Sequence, residues 1–368
     1  MKRPAYIYDL DFLTKNALSL REILEKNNCR FLYPLKPCSL QAVLKTLEPL
    51  VDGFEVSSLF EARLASSVSR KPIHYTSPGL CAEELPELVE LCAAISCNSL
   101  TQLKMATGIC PVEKLALRVN PQLSFVKDER YDPCHSFSKL GVPLPNLVNA
   151  LKKDELLAGS FSGITFHTVC EEEGFMPLEK TIDALIPLLD EFGELWQWIS
   201  FGGGYLFEKE EEYGILAAQC QRVQEYDLKV FMEPGAVTVS ESASLAVEVI
   251  DIFSSSGQEI AVLNSSVNHL PEAFEYNYKY PMIEESENGQ HQYILAGNTC
   301  LAGDVFGRFT FDEPLNIGDF LNFQDCGAYA LVKAHMFNGV NLPVIYTKSE
   351  GKLSLIKEFN YRDFLGRF

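Results

Sequence analysis

No CxxC pair, no HExxH and no paired CxxC spacing occurs among the 368 residues, although there are eleven cysteines. Scattered thiols of that kind argue against a structural zinc site or any other metal centre, and against a secreted disulfide framework. They fit small core residues in a reducing compartment. No apolar run approaches ~20 residues, which argues against a membrane span. There is no repeat of solenoid period and no low-complexity tract. Basic residues are outnumbered, 31 Lys+Arg against 50 Asp+Glu, for a formal charge of −19. That charge repels phosphates at long range and disfavours nucleic acid and anionic membrane surfaces as partners, although it leaves room for a cationic pocket. The opening MKRPAYIYDLDF turns acidic at once and has no apolar signal-peptide core, so a cytoplasmic protein is expected.

What is present is an ordinary globular balance, 47% hydrophobic and 22% charged, which sets disorder aside. The first two-thirds alternate short apolar runs with helix-period segments. The runs are RFLYPLK at 30–36, GFEVS at 53–57, PIHYT at 72–76, AAISCN at 93–98, LALRVN at 115–120, GITFHT at 163–168, WQWISFG at 196–202 and LKVFMEP at 228–234. Between them, segments such as 40–50, 59–66, 83–91, 100–107, 178–192 and 213–226 carry apolar residues at i, i+3, i+4 spacing. Eight strands with accompanying helices predict a (β/α)8 TIM barrel, whose usual length is ~250 residues. After about 240 the runs become short and often alternating, separated by Gly, Pro, Asn and Asp, which predicts an all-β C-terminal domain. The expected division is a barrel over 10–240 and an all-β domain over 241–368. The strand-like start at 1–9 is expected to pair with the second domain.

In such a barrel the working residues lie at the carboxyl ends of the strands. Those ends offer Lys36, Ser57 and Ser58, Ser77, Asn98, Asn120, His167, Gly202 to Gly204 and Glu233. Lys36, at the end of an apolar strand, would be partly desolvated and so suited to forming a Schiff base, although taken alone a lysine snorkelling out at a strand end is the commoner case. The SFGGGY segment suits close backbone approach to a phosphate, or simply a tight turn. Glu233 in MEPG could pair with a protonated ring nitrogen, or sit as a solvated turn acid. His167 could stack on an aromatic cofactor, or be a hydrogen-bonded core residue. In the β domain, Cys300 and Asp304 share the turn NTCLAGD; Cys300 reads as an exposed acid/base or a buried thiol. Tyr329 opens an apolar run and could donate its hydroxyl to a phosphate, or pack in the core.

Together these residues resemble the fold-type III pyridoxal-phosphate decarboxylases, the family of ornithine and diaminopimelate decarboxylases. Within it the chain is most similar to the carboxynorspermidine/carboxyspermidine branch. The motifs that carry the resemblance are FSKLGV at 137–142, FHTVCE at 166–171, FGGGY, EPG at 233–235, SENGQHQYILAGNTCLAGD at 286–304, FDEPLNIGD at 311–319 and FNGVNLP at 337–343. The resemblance implies pyridoxal 5'-phosphate as cofactor and decarboxylation of a small amino acid or carboxylated polyamine. It implies that Lys36 holds the cofactor covalently, His167 stacks on its ring, Gly202, Gly203 and Gly204 with Tyr329 bind its phosphate, and Glu233 pairs with its pyridine nitrogen. Cys300 would return a proton to the substrate carbon, with Asp304 beside it in the substrate site. A homodimer with the cysteine loop contributed across the subunit interface is implied as well.

One departure bears on the substrate. After EPG the branch has a glutamate that contacts a substrate amine, and this chain has Ala236. A second acidic contact falls at Glu272 in HLPEAF, where aspartate is usual. Loss of one of two amine-binding carboxylates would cost a polyamine a few kcal/mol of binding. The expectation is therefore a decarboxylase of a related amino acid with the same aminopropyl-carboxylate end and a different remainder. A catalytically inactive binding or regulatory homologue is the rival, against which stands the presence of both Lys36 and Cys300. An alanine-racemase-like enzyme ranks lower, because it needs a tyrosine where NTCLAGD offers a cysteine.

Overall fold

The computed structural model describes residues 1–154 and 156–368. The chain divides into two compact units, Asn16–Val237 and the pair of segments Met1–Lys15 with Thr238–Phe368.

In the first unit, eight strands pair in parallel: Cys29–Pro34, Gly53–Val56, Ile73–Thr76, Ala94–Cys97, Leu115–Asn120, Gly163–Thr165, Trp198–Ser200 and Lys229–Met232. The last pairs with the first, Met232 opposite Phe31, and so closes the barrel. Seven of these strands fall within the expected apolar runs, and the first begins one residue before its run, at Cys29. Helices Gln41–Leu47, Leu59–Val68, Leu85–Leu91, Leu100–Ala106, Met176–Phe192 and Tyr213–Gln224 match the helix-period segments. Two helices that were not expected are Leu10–Lys26 and Leu144–Lys153. The first has its apolar stripe in plain view, with Leu13, Ala17, Leu20 and Leu24 buried.

Short strand-to-helix turns are built twice in the same way. After Gly53–Val56, Ser58 Oγ accepts the Glu61 N–H while Glu61 Oε2 accepts the Ser57 N–H at 2.7 Å. After Ala94–Cys97, Ser99 Oγ accepts from Gln102 N–H while Gln102 Oε1 accepts from Asn98 N–H at 2.7 Å. These Ser-x-x-Glu and Ser-x-x-Gln boxes satisfy helix-start donors and so position the rim directly above the strands.

The barrel interior is layered. Leu32, Ala94, Ala116, Trp198 and Phe231 form one packed cluster, and His74 lies against Trp198 and Phe231, ring centroids 5.1 and 4.9 Å away. Gly163 is required there, since a Cβ would sit 2.2 Å from Trp198 Cε2. Two residues further along the strands, on the same inward parity, come Thr76, Ser96, Arg118, Thr165, Ser200 and Glu233, joined by Glu55. An aromatic plug thus carries a polar floor.

In the second unit the strand order is Val305–Phe311, His291–Ala296, Gln258–Leu263, Ala243–Ser255, Ala5–Asp9, Val344–Ser349 and Lys352–Lys357, with Phe320–Phe323 also on Ala243–Ser255. The N-terminal strand does join this sheet: Ala5 lies opposite Ala246 antiparallel and opposite Val344 parallel. Alternate residues Leu245, Val247 and Val249 are buried with Leu263, Leu295, Phe309 and Phe323. Among the described residues no helix is long and apolar enough to cross a membrane.

Burial, with the Arg30 charge adding to it, lowers the His74 pKa from 6.5 to about 4. The unfolded chain therefore takes a proton below pH 6.5 that the folded chain resists, and stability falls as the pH drops from there toward 4. The His74 share of that loss between pH 7 and pH 5 is about 2 kcal/mol. In urea unfolding at those two pH values, His74→Phe, which retains the aromatic contacts, should lose correspondingly less than the wild type. An equal loss would assign the acid sensitivity elsewhere.

Candidate active site

Lys36 follows the first barrel strand between buried Leu35 and Pro37. The neighbouring strand holds it in place, as Leu35 N–H donates to the Glu55 carbonyl at 2.9 Å. Gly235 abuts this strand end, where a Cβ would lie 2.9 Å from Pro34 and 3.3 Å from Pro37. Lys36 itself is exposed. The strand ends at Pro34, two residues earlier. The positive charge of Lys36 nonetheless acts on Glu55, Glu61 and His167.

The glycine loop is a close approach of three backbones. Gly202, at φ +68°, would place a Cβ 2.4 Å from the Phe166 carbonyl oxygen. Gly203 would place one 2.2 Å from the Glu233 carbonyl oxygen, and Gly204, at φ +91°, one 2.3 Å from that of Val169. No side chain fits at any of the three. Gly203 N–H donates to His167 Nδ1 at 3.2 Å, which leaves the proton of the neutral ring on Nε2. Burial, with the charges of Lys36 and Arg118, holds His167 well below its ordinary pKa. It is therefore a neutral ring at physiological pH, tied to the glycine loop.

Glu233 is buried at 9% exposure, and Ser200 Oγ donates to its Oε1 at 2.5 Å while accepting the Gly202 N–H. The Glu233 N–H donates to the Gly202 carbonyl at 2.8 Å. One serine thus joins the carboxylate to the glycine loop. Ala236 opens the helical turn Ala236–Val239 three residues later and is half-buried.

Two residues of this site were not anticipated. Glu55 is buried at 3% exposure, and burial together with Glu233 pushes its carboxyl well above the usual carboxylate range, with Lys36 offsetting part. Arg118 faces the same layer and feels both Glu233 and Glu55. A signal was available: GFEVS and LALRVN each carry a charge inside an apolar parallel strand, where only an inward polar layer accommodates it. Attention to strand ends alone passes over both.

The remaining candidates belong to the second unit. Cys300 is exposed, in the turn NTCLAGD. Asp304, expected in the substrate site, is 3% exposed and accepts from Val267 N–H at 2.8 Å, Thr299 N–H at 3.0 Å and the Thr299 hydroxyl. Three hydrogen bonds from the chain thus tie its carboxylate to the turn. Glu272 lies in the helix Pro271–Glu275 with a carboxylate oxygen 3.9 Å from Lys333 Nζ. Tyr329, half-buried at φ +55°, stands in a series of turns and not at the head of a strand.

The barrel-mouth residues fit pyridoxal phosphate. The glycine loop packs its backbone directly against those of Phe166, Val169 and Glu233, which draws the strand ends together at the mouth. An amine, a neutral ring and a buried, serine-held carboxylate surround the same mouth. The chain matches the family described as "Pyridoxal-dependent decarboxylase, C-terminal sheet domain" over residues 5–327. It is 32% identical to a carboxynorspermidine/carboxyspermidine decarboxylase of Herminiimonas arsenicoxydans, covering 98% of each chain. It is 30% identical to a carboxyaminopropylagmatine decarboxylase of Synechocystis, covering 99% of this chain and 95% of the other. The crystal structure of carboxynorspermidine decarboxylase from Campylobacter jejuni, complexed with norspermidine, superposes with a TM-score of 0.89 at 29% identity and full coverage of both chains.

Because Glu55 is held neutral by the fold while the unfolded side chain ionises near 4.5, the stability this site contributes is present below pH 4.5 and lost as the pH rises above it. Glu55→Gln should therefore gain stability relative to the wild type at pH 8 and gain little at pH 4. A gain independent of pH in denaturant titrations would refute the neutral carboxyl.

Proposed function

The chain belongs to the pyridoxal-dependent decarboxylases, and from that membership we propose that it decarboxylates an amino acid of the carboxynorspermidine/carboxyspermidine type with an altered distal end. Ala236 carries the reading. It stands directly after Glu233, Pro234 and Gly235, where the branch's substrate-binding glutamate is expected, and a methyl group cannot pair with an ammonium. Relatives named for carboxynorspermidine/carboxyspermidine and for carboxyaminopropylagmatine stand at nearly the same identity, so overall likeness does not choose among distal ends.

In this proposal Lys36 joins the cofactor aldehyde. The glycine loop of Gly202, Gly203 and Gly204, in which the first two N–H groups already donate to Ser200 Oγ and His167 Nδ1, would with the Tyr329 hydroxyl hold its phosphate, and the neutral His167 ring would stack on the cofactor ring. Glu233, fixed by Ser200, would pair with the pyridine nitrogen and favour its protonated form. When bound, pyridoxal phosphate supplies a sink for the electron pair left behind as CO2 departs. Cys300 returns a proton to the substrate carbon. Glu272 is the remaining acid for a substrate amine. We place the protein in the cytoplasm, a reading supported by its eleven unbridged cysteines, and as a homodimer with the active site at the subunit interface. Mixing inactive Lys36→Ala and Cys300→Ala chains should then restore activity that neither has alone. No restoration would count against a shared site.

The substrate is tested by CO2 release across carboxynorspermidine, carboxyspermidine and carboxyaminopropylagmatine. Wild type should be poor on the first, and Ala236→Glu should raise its kcat/KM there by about tenfold, the worth of one modest ion pair. Ordinary turnover of carboxynorspermidine by the wild type would overturn the altered distal end. The absorbance band of lysine-bound cofactor should vanish in Lys36→Ala, and a wild type without that band would favour the inactive homologue.

A further inference from the structure

The motif FNGVNLP at 337–343 has no part in the roles above, yet one of its side chains grips the loop that bears Cys300. Asn338 Oδ1 accepts the backbone N–H of Cys300 at 2.9 Å. Cys300 is exposed, so packing does not hold it in place and hydrogen bonds must. From the other side the turn is anchored by buried Asp304, whose carboxylate takes the N–H groups of Val267 and Thr299 and whose own N–H donates to Leu301 O at 3.0 Å. Gly297 lets that carboxylate close in, since a Cβ there would lie 2.1 Å from Asp304 Oδ1.

Asn338 occupies the left-handed region at φ +54°, ψ 14°, followed by Gly339 at φ +72°. Asparagine tolerates that backbone better than most residues, but the conformation is costly for a side chain that does nothing. Here it belongs to the same residue whose carboxamide reaches a chain segment 38 positions away. The two motifs, NTCLAGD and FNGVNLP, are therefore one device.

We propose that Asn338 is a positioning residue for Cys300: by accepting its amide N–H it holds the thiol in the single orientation from which a proton reaches the substrate carbon. The inference rests on the proton-donor reading of Cys300 above. It adds to that reading a residue that touches neither substrate nor cofactor.

Three variants of the full-length holoenzyme test it. Asn338→Gly keeps the left-handed backbone without strain and removes the acceptor. Asn338→Asp keeps both the acceptor and the tolerance for that backbone. Cys300→Ala reports on the parent reading. Asn338→Gly should unfold at the wild-type temperature yet lose kcat by about tenfold or more with KM little changed, and Asn338→Asp should restore most of it. Alkylation of the resting enzyme by iodoacetamide, read at the Cys300 peptide by mass spectrometry, should be several-fold faster in Asn338→Gly than in wild type or Asn338→Asp. If Cys300→Ala loses turnover while Asn338→Gly matches the wild type in both kcat and alkylation rate, the positioning role is wrong. If Cys300→Ala turns over normally, the proton-donor reading fails, and the positioning role falls with it.

Discussion

Two carboxyl groups buried in one barrel layer constrain everything above them. Burial, with the charge of Glu233 beside it, pushes the Glu55 carboxyl well above the usual carboxylate range. Glu233 has a serine hydroxyl on one oxygen and faces Arg118 electrostatically. Glu55 is left to hold its proton. Lys36 and Arg118 supply the balancing positive charge, and the same two cations keep His167 neutral. The titration of Glu55 and of His167 thus depends on the charges around them, which is why single substitutions there are expected to change pH behaviour as well as activity.

The glycine loop ties that electrostatic arrangement to geometry. Three successive residues without side chains bring the ends of three strands close enough for Gly203 to reach His167, and for Glu233 and Gly202 to exchange hydrogen bonds through backbone and serine. A Cβ at any of the three would push a carbonyl aside, with the ring and the carboxylate following it. The glycine loop and the Glu233 carboxylate are therefore tied to one another on the strand ends, above the cluster that holds Trp198 and Phe231.

The second unit solves a different problem, the placement of an exposed thiol on a turn. A buried aspartate serves as the foundation and an asparagine from a distant motif as the clamp. Asp304 is buried, and three hydrogen bonds from the chain hold its carboxylate in the turn. The spacing within NTCLAGD follows: the acid must lie far enough from the cysteine for the turn to close back on it.

Local sequence determined the architecture, since the eight apolar runs, the helix-period segments between them and the change of rhythm after 240 record burial that each segment undergoes by itself. It also determined which residues stand at the strand ends, because a barrel places those ends on one rim whatever the details. It could not decide how deeply each side chain is sunk. Glu55 and Arg118 are readable as charges inside apolar strands, but that they share a layer with Glu233 emerges only when the strands are registered against one another. Nor could it join Asn338 to Cys300, since a hydrogen bond across 38 residues leaves no periodic trace. Burial, charge coupling and long-range clamps depend on neighbours brought together from distant positions, and those neighbours exist only once the chain has folded.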